Sequence, residues 1–141
     1  MARFVIKDAK VLINGVDLSR RVAEVVVNTD VDDVDISTMG TGVHEHLGGL
    51  GNDNFVIKFL QDFASAMVDQ TLWPLKSSAT STIEFTVQVS STSSSLSSTN
   101  PGFKSTRCIL LTYQPIQGAV GSRSEVDVTF PSNEAITRVY T

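Results

Sequence analysis

The sequence predicts a mainly β protein, an antiparallel β-sandwich or partly closed barrel of roughly eight strands with one flanking α-helix. Three observations carry this. Most apolar segments alternate apolar with polar residues, the period of a half-buried strand. A single stretch, Leu60 to Leu72, repeats its apolar residues at helical spacing instead. Turn chemistry such as Asn14-Gly15 and Asn100-Pro101 separates the segments.

Phe4 and Ile6 start a first strand, and Val11 to Ile13 form a second that enters Asn14-Gly15. Asn-Gly favours a type I′ hairpin, because both residues tolerate positive φ. The chain returns through Val22–Val27, with Ala23, Val25 and Val27 on one face and Val22, Glu24 and Val26 on the other. Asp30, Asp32 and Asp33 read as an acidic turn, after which Val34 and Ile36 alternate with Asp35 and Ser37. Residues 37–53 read as a long glycine-rich loop.

Phe55, Ile57 and Phe59 resume the alternation. Asp62 is placed to cap a helix. Its stripe is Leu60, Phe63, Ala64, Met67, Val68 and Leu72, with Trp73 buried where the helix meets the core and Pro74 ending it. Ile83, Phe85, Val87 and Val89 alternate with Glu84, Thr86 and Gln88. Ile109 to Tyr113 forms another strand, and Val126, Val128 and Phe130 alternate with Glu125, Asp127 and Thr129. Between Ser90 and Thr99 every residue except Leu96 is Ser or Thr. Such a run buries too little apolar surface to offset its ordering, so 90–106 reads as a solvated loop.

The 141 residues fit one domain, 1–141, with 41% hydrophobic residues and only 18% charged. The net charge of −4 excludes binding through phosphate neutralisation, which needs Lys and Arg gathered on one face; the only adjacent basic pair is Arg20-Arg21. The single cysteine, Cys108, lies in an apolar run and reads as a small buried hydrophobe, with no intrachain disulfide possible. Lys7, Asp8 and Lys10 interrupt any signal peptide, and no segment approaches the roughly 18 apolar residues of a membrane span. We expect a soluble protein made in a cytoplasm.

Catalytic and metal constellations fail in turn. His44 and His46 flank Glu45 and would share a face on an extended segment, but the sequence supplies no third ligand at metal-site spacing. Asp30, Asp32, Asp33 and Asp35 resemble a calcium loop only superficially, since position six is Asp35 and position twelve Thr41 where an EF-hand needs glycine and glutamate. No serine lies in G-x-S-x-G, and Gly48-Gly49-Leu50-Gly51 lacks the Gly-Lys-Ser/Thr of a P-loop. Neither an enzyme nor a cofactor-binding protein is expected.

One ordered series of weak motifs spans about Val11 to Arg138. It comprises Asn14-Gly15-Val16-Asp17-Leu18-Ser19, the acidic stretch leading to Thr38-Met39-Gly40, and Gly48-Gly49-Leu50. It continues through Phe59-Leu60-Gln61-Asp62-Phe63, Leu72-Trp73-Pro74-Leu75, Asn100-Pro101, Tyr113-Gln114-Pro115-Ile116, Gly118 and Gly121. In this order the chain resembles the tail tube proteins of long, non-contractile-tailed bacteriophages. The Ser/Thr-rich stretch departs from that pattern, and nothing functional is carried onto it.

The resemblance implies a β-sandwich or barrel with a flanking helix that forms hexameric rings stacked head to tail into a hollow tube, through which the genome leaves. It implies one continuous inner barrel joined from neighbouring sheets. Its implied partners are copies of the chain, the tape measure, terminator and distal tail proteins, and double-stranded DNA that passes without specific binding. The implied location is the phage tail in the virion, assembled in the bacterial cytoplasm. The 37–53 loop becomes the inter-subunit arm, carrying His44 and His46 with Leu47 and Leu50 as apolar anchors; its length alone favours a functional role. A lumen needs a polar or acidic wall, because a basic one would hold DNA by counterion release. The faces bearing Glu84, Thr86, Gln88 and Glu125, Asp127, Thr129 have that character.

The same fold would serve a tail terminator or head–tail joining ring, or a capsid decoration protein. From a different class, a small-ligand or carbohydrate-binding β-sandwich would offer exposed aromatics, for which Trp73, Tyr113 and Tyr140 are the candidates beyond the phenylalanines.

Overall fold

The computed structural model describes residues 8–40, 42–78, 82–89, 96 and 100–139. The strand expected at Phe4 and Ile6, most of the Ser/Thr-rich loop, Thr41 and Tyr140 lie outside the described residues.

The chain is mainly β, as expected, and forms two antiparallel sheets. The strands are β1 (Lys10–Ile13), β2 (Val16–Asp17), β3 (Val22–Asp35), β4 (His46–Leu60), β5 (Ile83–Gln88), β6 (Gly102–Cys108), β7 (Glu125–Pro131) and β8 (Thr137–Val139). A 3-10 turn, Ser19–Arg21, precedes β3, and one helix, α1 (Val68–Ser78), lies between β4 and β5. The first sheet has the order β2-β1-β5-β6-β8 and the second β3-β4-β7, so the arrangement is a sandwich rather than a closed barrel.

The inner faces follow the alternation read from the sequence. Val11, Ile13, Ile83 and Phe85 from the first sheet meet Phe55, Ile57, Phe59, Val126, Val128 and Phe130 from the second, all buried. Phe85 is the centre, its ring stacked 4.4 Å from Phe55 and tilted 4.9 Å from Phe130. Such aromatic pairs add to the area they bury. Cys108 is buried, as expected, and that burial pushes its thiol pKa up.

Asn14 and Gly15 take φ of +49° and +82°, the expected type I′ geometry, and join β1 to β2. Asn14 also accepts from the Glu84 amide through Oδ1 and donates its own amide to the Glu84 carbonyl, both at 2.8 Å. One turn residue thus fixes where β5 begins.

Six local expectations need correction. The strand expected at residues 109–113 is absent. Residues 102–106 of the expected 90–106 loop are strand instead, because β6 pairs with β5 and β8 over Gly102–Cys108. A bulge between Val22 and Glu24 turns Val22 onto the core and leaves Ala23 exposed, exchanging their predicted faces. The helix begins at Val68 rather than near Asp62, whose Oδ1 instead accepts from Ala64 in a separate turn that leaves Phe63 exposed. Pro74 lies inside the helix and does not end it. The carbonyl it leaves without a donor belongs to Gln70, which is exposed and open to water, while Leu75 carries the helix on against the core. Trp73 is 54% exposed, because the helical face that meets the core carries Val68, Leu72 and Leu75.

The largest difference is at residues 28–53. Asp30, Asp32 and Asp33 form no turn, and 46–53 is no loop: β3 and β4 pair from Val22↔Phe59 to Asp35↔His46 as one long hairpin. β7 accompanies β4 only as far as Asn54, so beyond it the two strands continue alone.

Candidate assembly surfaces

We refer to that two-stranded extension as the arm. From Thr29 to Asp35 it advances about 20 Å at the usual strand rise. Its end closes through Gly40 and Gly42, both at positive φ, and through the Ile36 amide donating to the Glu45 carbonyl at 2.9 Å. The Ser37 hydroxyl accepts from the Glu45 amide at 2.7 Å, and Asp35 Oδ1 accepts from the Ser37 amide at 2.8 Å. Bonding to Ser37 holds the Asp35 carboxyl below the usual carboxylate range.

A bulge between Val31 and Asp33 adds its extra residue to β4, so β3 keeps alternating. Val34 lies opposite Leu47 on the outer face with Asp32, while Val31, Asp33 and Asp35 continue the core side. Val34 and Leu47 are exposed on that outer face, Val31 is exposed on the other, and Ile36 is exposed just beyond β3. The face that continues the core side is polar apart from Val31. His46 Nδ1 lies 2.8 Å from Asp33 Oδ1, and His44 Nδ1 lies 3.5 Å from Asp35 Oδ2. Among the described residues no three His, Cys, Asp or Glu side chains are grouped to hold a metal ion. Leu50, the second expected anchor, is 80% exposed.

Gly49 stands at a close approach of the two strands. A Cβ there would meet Val34 Cγ2 at 3.0 Å and Asp32 Cβ and carbonyl oxygen at 3.3 Å. The arm also carries no Lys or Arg anywhere between Arg21 and Lys58, while it holds Asp30, Asp32, Asp33, Asp35 and Glu45.

The other end of the same strands is different. Arg21 Nε donates to Asp62 Oδ2 at 2.6 Å, which joins the 3-10 turn to the end of β4. Arg20 is exposed and has no ion pair within 4 Å among the described residues. Together with Asp17, Leu18 and Met67 the two arginines line an open groove. Phe63 and Ile116 are exposed close by in the chain, beside Asp62 and Pro115, and Gln61 ties the two segments by donating to the Pro115 carbonyl at 2.6 Å.

The polar strand positions fall on two separate surfaces. Glu84, Thr86 and Gln88 lie on the outside of the first sheet, where Lys104 Nζ is 3.1 Å from Glu84 Oε1. Glu125 and Asp127 lie on the outside of the second sheet, each 4.0 Å from Lys58 Nζ. The structure does not bring the two sets together.

The arm's apolar partners Val31, Val34 and Ile36 were within reach of sequence reasoning. Residues 29–35 contain no Gly, Pro or Asn, which argues against a turn there.

No protein-family model matches the sequence, and no curated protein sequence is similar to it. Solved structures are similar in fold. A chain of the sheath–tube complex of the PVC extracellular contractile injection system superposes with a TM-score of 0.73 at 9% identity, covering 99% of this chain and 93% of that one. A chain from the tail of an empty gene transfer agent particle, solved with C6 symmetry, gives 0.68 at 13% identity, covering 93% and 95%. The tube-terminating cap of the anti-feeding prophage gives 0.69 at 8% identity, covering 100% and 95%. The fold is thus the one found in phage-like tail and injection assemblies.

Proposed function

We propose that this chain is a structural subunit of a phage-type tail tube, a single domain that assembles into stacked rings around a lumen. The observation that carries the reading is the arm, a two-stranded ribbon whose outer face bears the exposed Val34 and Leu47. An isolated hairpin is marginal in water, and a clustered apolar face marks an interaction site. An element that leaves one subunit at one end and finds its seat on another makes a heterologous contact, which repeats along an axis instead of closing.

Lateral closure uses the second sheet. Its edges are β3 and β7, and edge strands normally need protection from unwanted pairing. Pairing β3 of one copy with β7 of the next continues the sheet around a ring. Six-fold symmetry belongs to the gene transfer agent tail, and we adopt it for this chain. The outer face of that sheet, with Glu125 and Asp127, then becomes the lumen wall, and its acidic excess keeps DNA from sticking. Glu84, Thr86 and Gln88 face outward in this arrangement. The tape measure, terminator and distal tail proteins are the remaining partners, and the virion tail is the location.

A ring that caps a tube is the second reading, because a tube-terminating cap shares the fold. Negative-stain electron microscopy of the purified chain over a range of concentrations separates the two. Hollow tubes of uniform diameter are expected. Rings that never stack would establish the capping role instead.

A further inference from the structure

The two ends of β3 differ in charge. At its start the exposed Arg20 has no ion pair within 4 Å among the described residues. It lines a groove with Asp17, Leu18, Ser19, Met67 and Arg21, whose guanidinium Asp62 already holds. At its far end the arm presents Asp32, Asp33, Asp35 and Glu45, with no Lys or Arg on either strand from Val22 to Ile57. His44 and His46 face Asp35 and Asp33 only, which leaves Asp32 with no ion pair within 4 Å among the described residues.

We infer that the Arg20–Arg21 groove is the seat for the acidic arm tip of a second copy, stacked head to tail; the inference rests on the tube reading. Three features meet here. The acidic tip and the basic groove terminate one continuous strand, so translation along that strand brings one against the other. Asp32 has no ion pair within 4 Å among the described residues and no Lys or Arg on its own arm, so a cationic partner lowers its energy. Phe63, exposed beside the Arg21–Asp62 pair, offers apolar surface to match Leu47 and Leu50 of the arm.

Each subunit repeats the contact between two rings, so a modest pairwise gain is multiplied around the ring. The contact is electrostatic and surface-exposed, so salt screens it. Lateral sheet pairing and apolar contacts respond far less.

The test uses Arg20→Glu, Asp32→Lys and the double variant in the full chain. Tube length and critical concentration are measured by electron microscopy and sedimentation, with melting temperature as a folding control. Each single variant is expected to keep the wild-type melting temperature, form rings, and raise the critical concentration for stacking about tenfold or more. The double variant, with both charges reversed, is expected to recover tubes. Wild-type tubes should shorten into rings between about 0.05 and about 0.5 M salt. Single variants that stack at the wild-type concentration, or a double variant that shows no recovery, overturn this contact and leave the tube reading standing. A wild-type chain that forms neither rings nor tubes overturns both.

Discussion

The Tyr113 hydroxyl donates to Asp69 Oδ1 at 3.0 Å, and so fastens helix α1 to the segment that follows β6. The same oxygen accepts from Gln61 Nε2 at 3.0 Å, which brings the end of β4 into the junction. Burial first, then the neighbouring Asp69 carboxylate against the opposing Gln61 bond, push the Tyr113 pKa up to about 12. The fold therefore favours the neutral phenol. That contribution is complete below the ordinary value of 10 and is lost as pH rises from 10 through 12. Thermal melts across this window should show wild type losing roughly 2–3 kcal/mol relative to Tyr113→Phe, which has nothing to ionise there. At pH 7 the variant should be about 1–2 kcal/mol less stable, since Asp69 and Gln61 lose a buried partner. Parallel pH profiles for the two proteins would contradict the role given to this hydroxyl.

Glu134 is one of the carboxyls that contribute on the acid side. Its Oε1 accepts from the Thr106 amide at 2.7 Å and the Thr106 hydroxyl at 2.9 Å, and these bonds hold its carboxyl below the ordinary 4.5. A depressed folded value gives stability that is present above 4.5 and disappears as pH falls below it. Denaturant titrations of Glu134→Gln should show a shallower acid loss than wild type below that pH.

Phe85 stacks between Phe55 and Phe130 at the middle of the sandwich. Phe85→Ala removes both ring contacts and leaves a cavity, with an expected cost of about 3–5 kcal/mol in urea unfolding. A cost below about 1 kcal/mol would mean that the two sheets close over the site.

Gly49→Ala acts on the arm alone. Its added methyl meets Val34 and the Asp32 backbone, neither of which is a flexible chain end. Amide exchange in residues 31–36 and 46–50 should accelerate, and stacking should weaken. The melting temperature should stay put, because the core of the sandwich lies elsewhere. Unchanged exchange along the arm is the contrary result.

Where a strand faces the core on one side, as at β5 and β7, the fold was legible. Residues 109–113 were misread as a strand because Leu110 and Tyr113 are buried without strand backbone. β5 and β7 alternate as read because Phe85, Val87, Val126 and Val128 have a core to face. The arm was opaque for the opposite reason. Both its faces meet solvent within one subunit, so nothing imposes period-two alternation on Asp30–Asp35 or on Gly48–Gly51. The bulge at Val31/Asp33 and the one at Val22/Glu24 each break the count by a residue. Helix α1 was displaced because Phe63 and Met67 have helical spacing without helical backbone; Ala66 sits at φ +60° just before the true start. The separation of Glu84 from Glu125 and Asp127 depends on which strands share a sheet, and no local pattern encodes that pairing.

The central claim is that the arm builds the tube. It is tested by a chain in which Thr29 is joined to Asp53 through an Asn-Gly turn, a linkage suited to that paired position. Electron microscopy of this protein beside wild type, at equal concentration and with matched melting temperatures, should show tubes for wild type and unstacked rings for the trimmed chain. Tubes of equal length from both proteins would contradict the account.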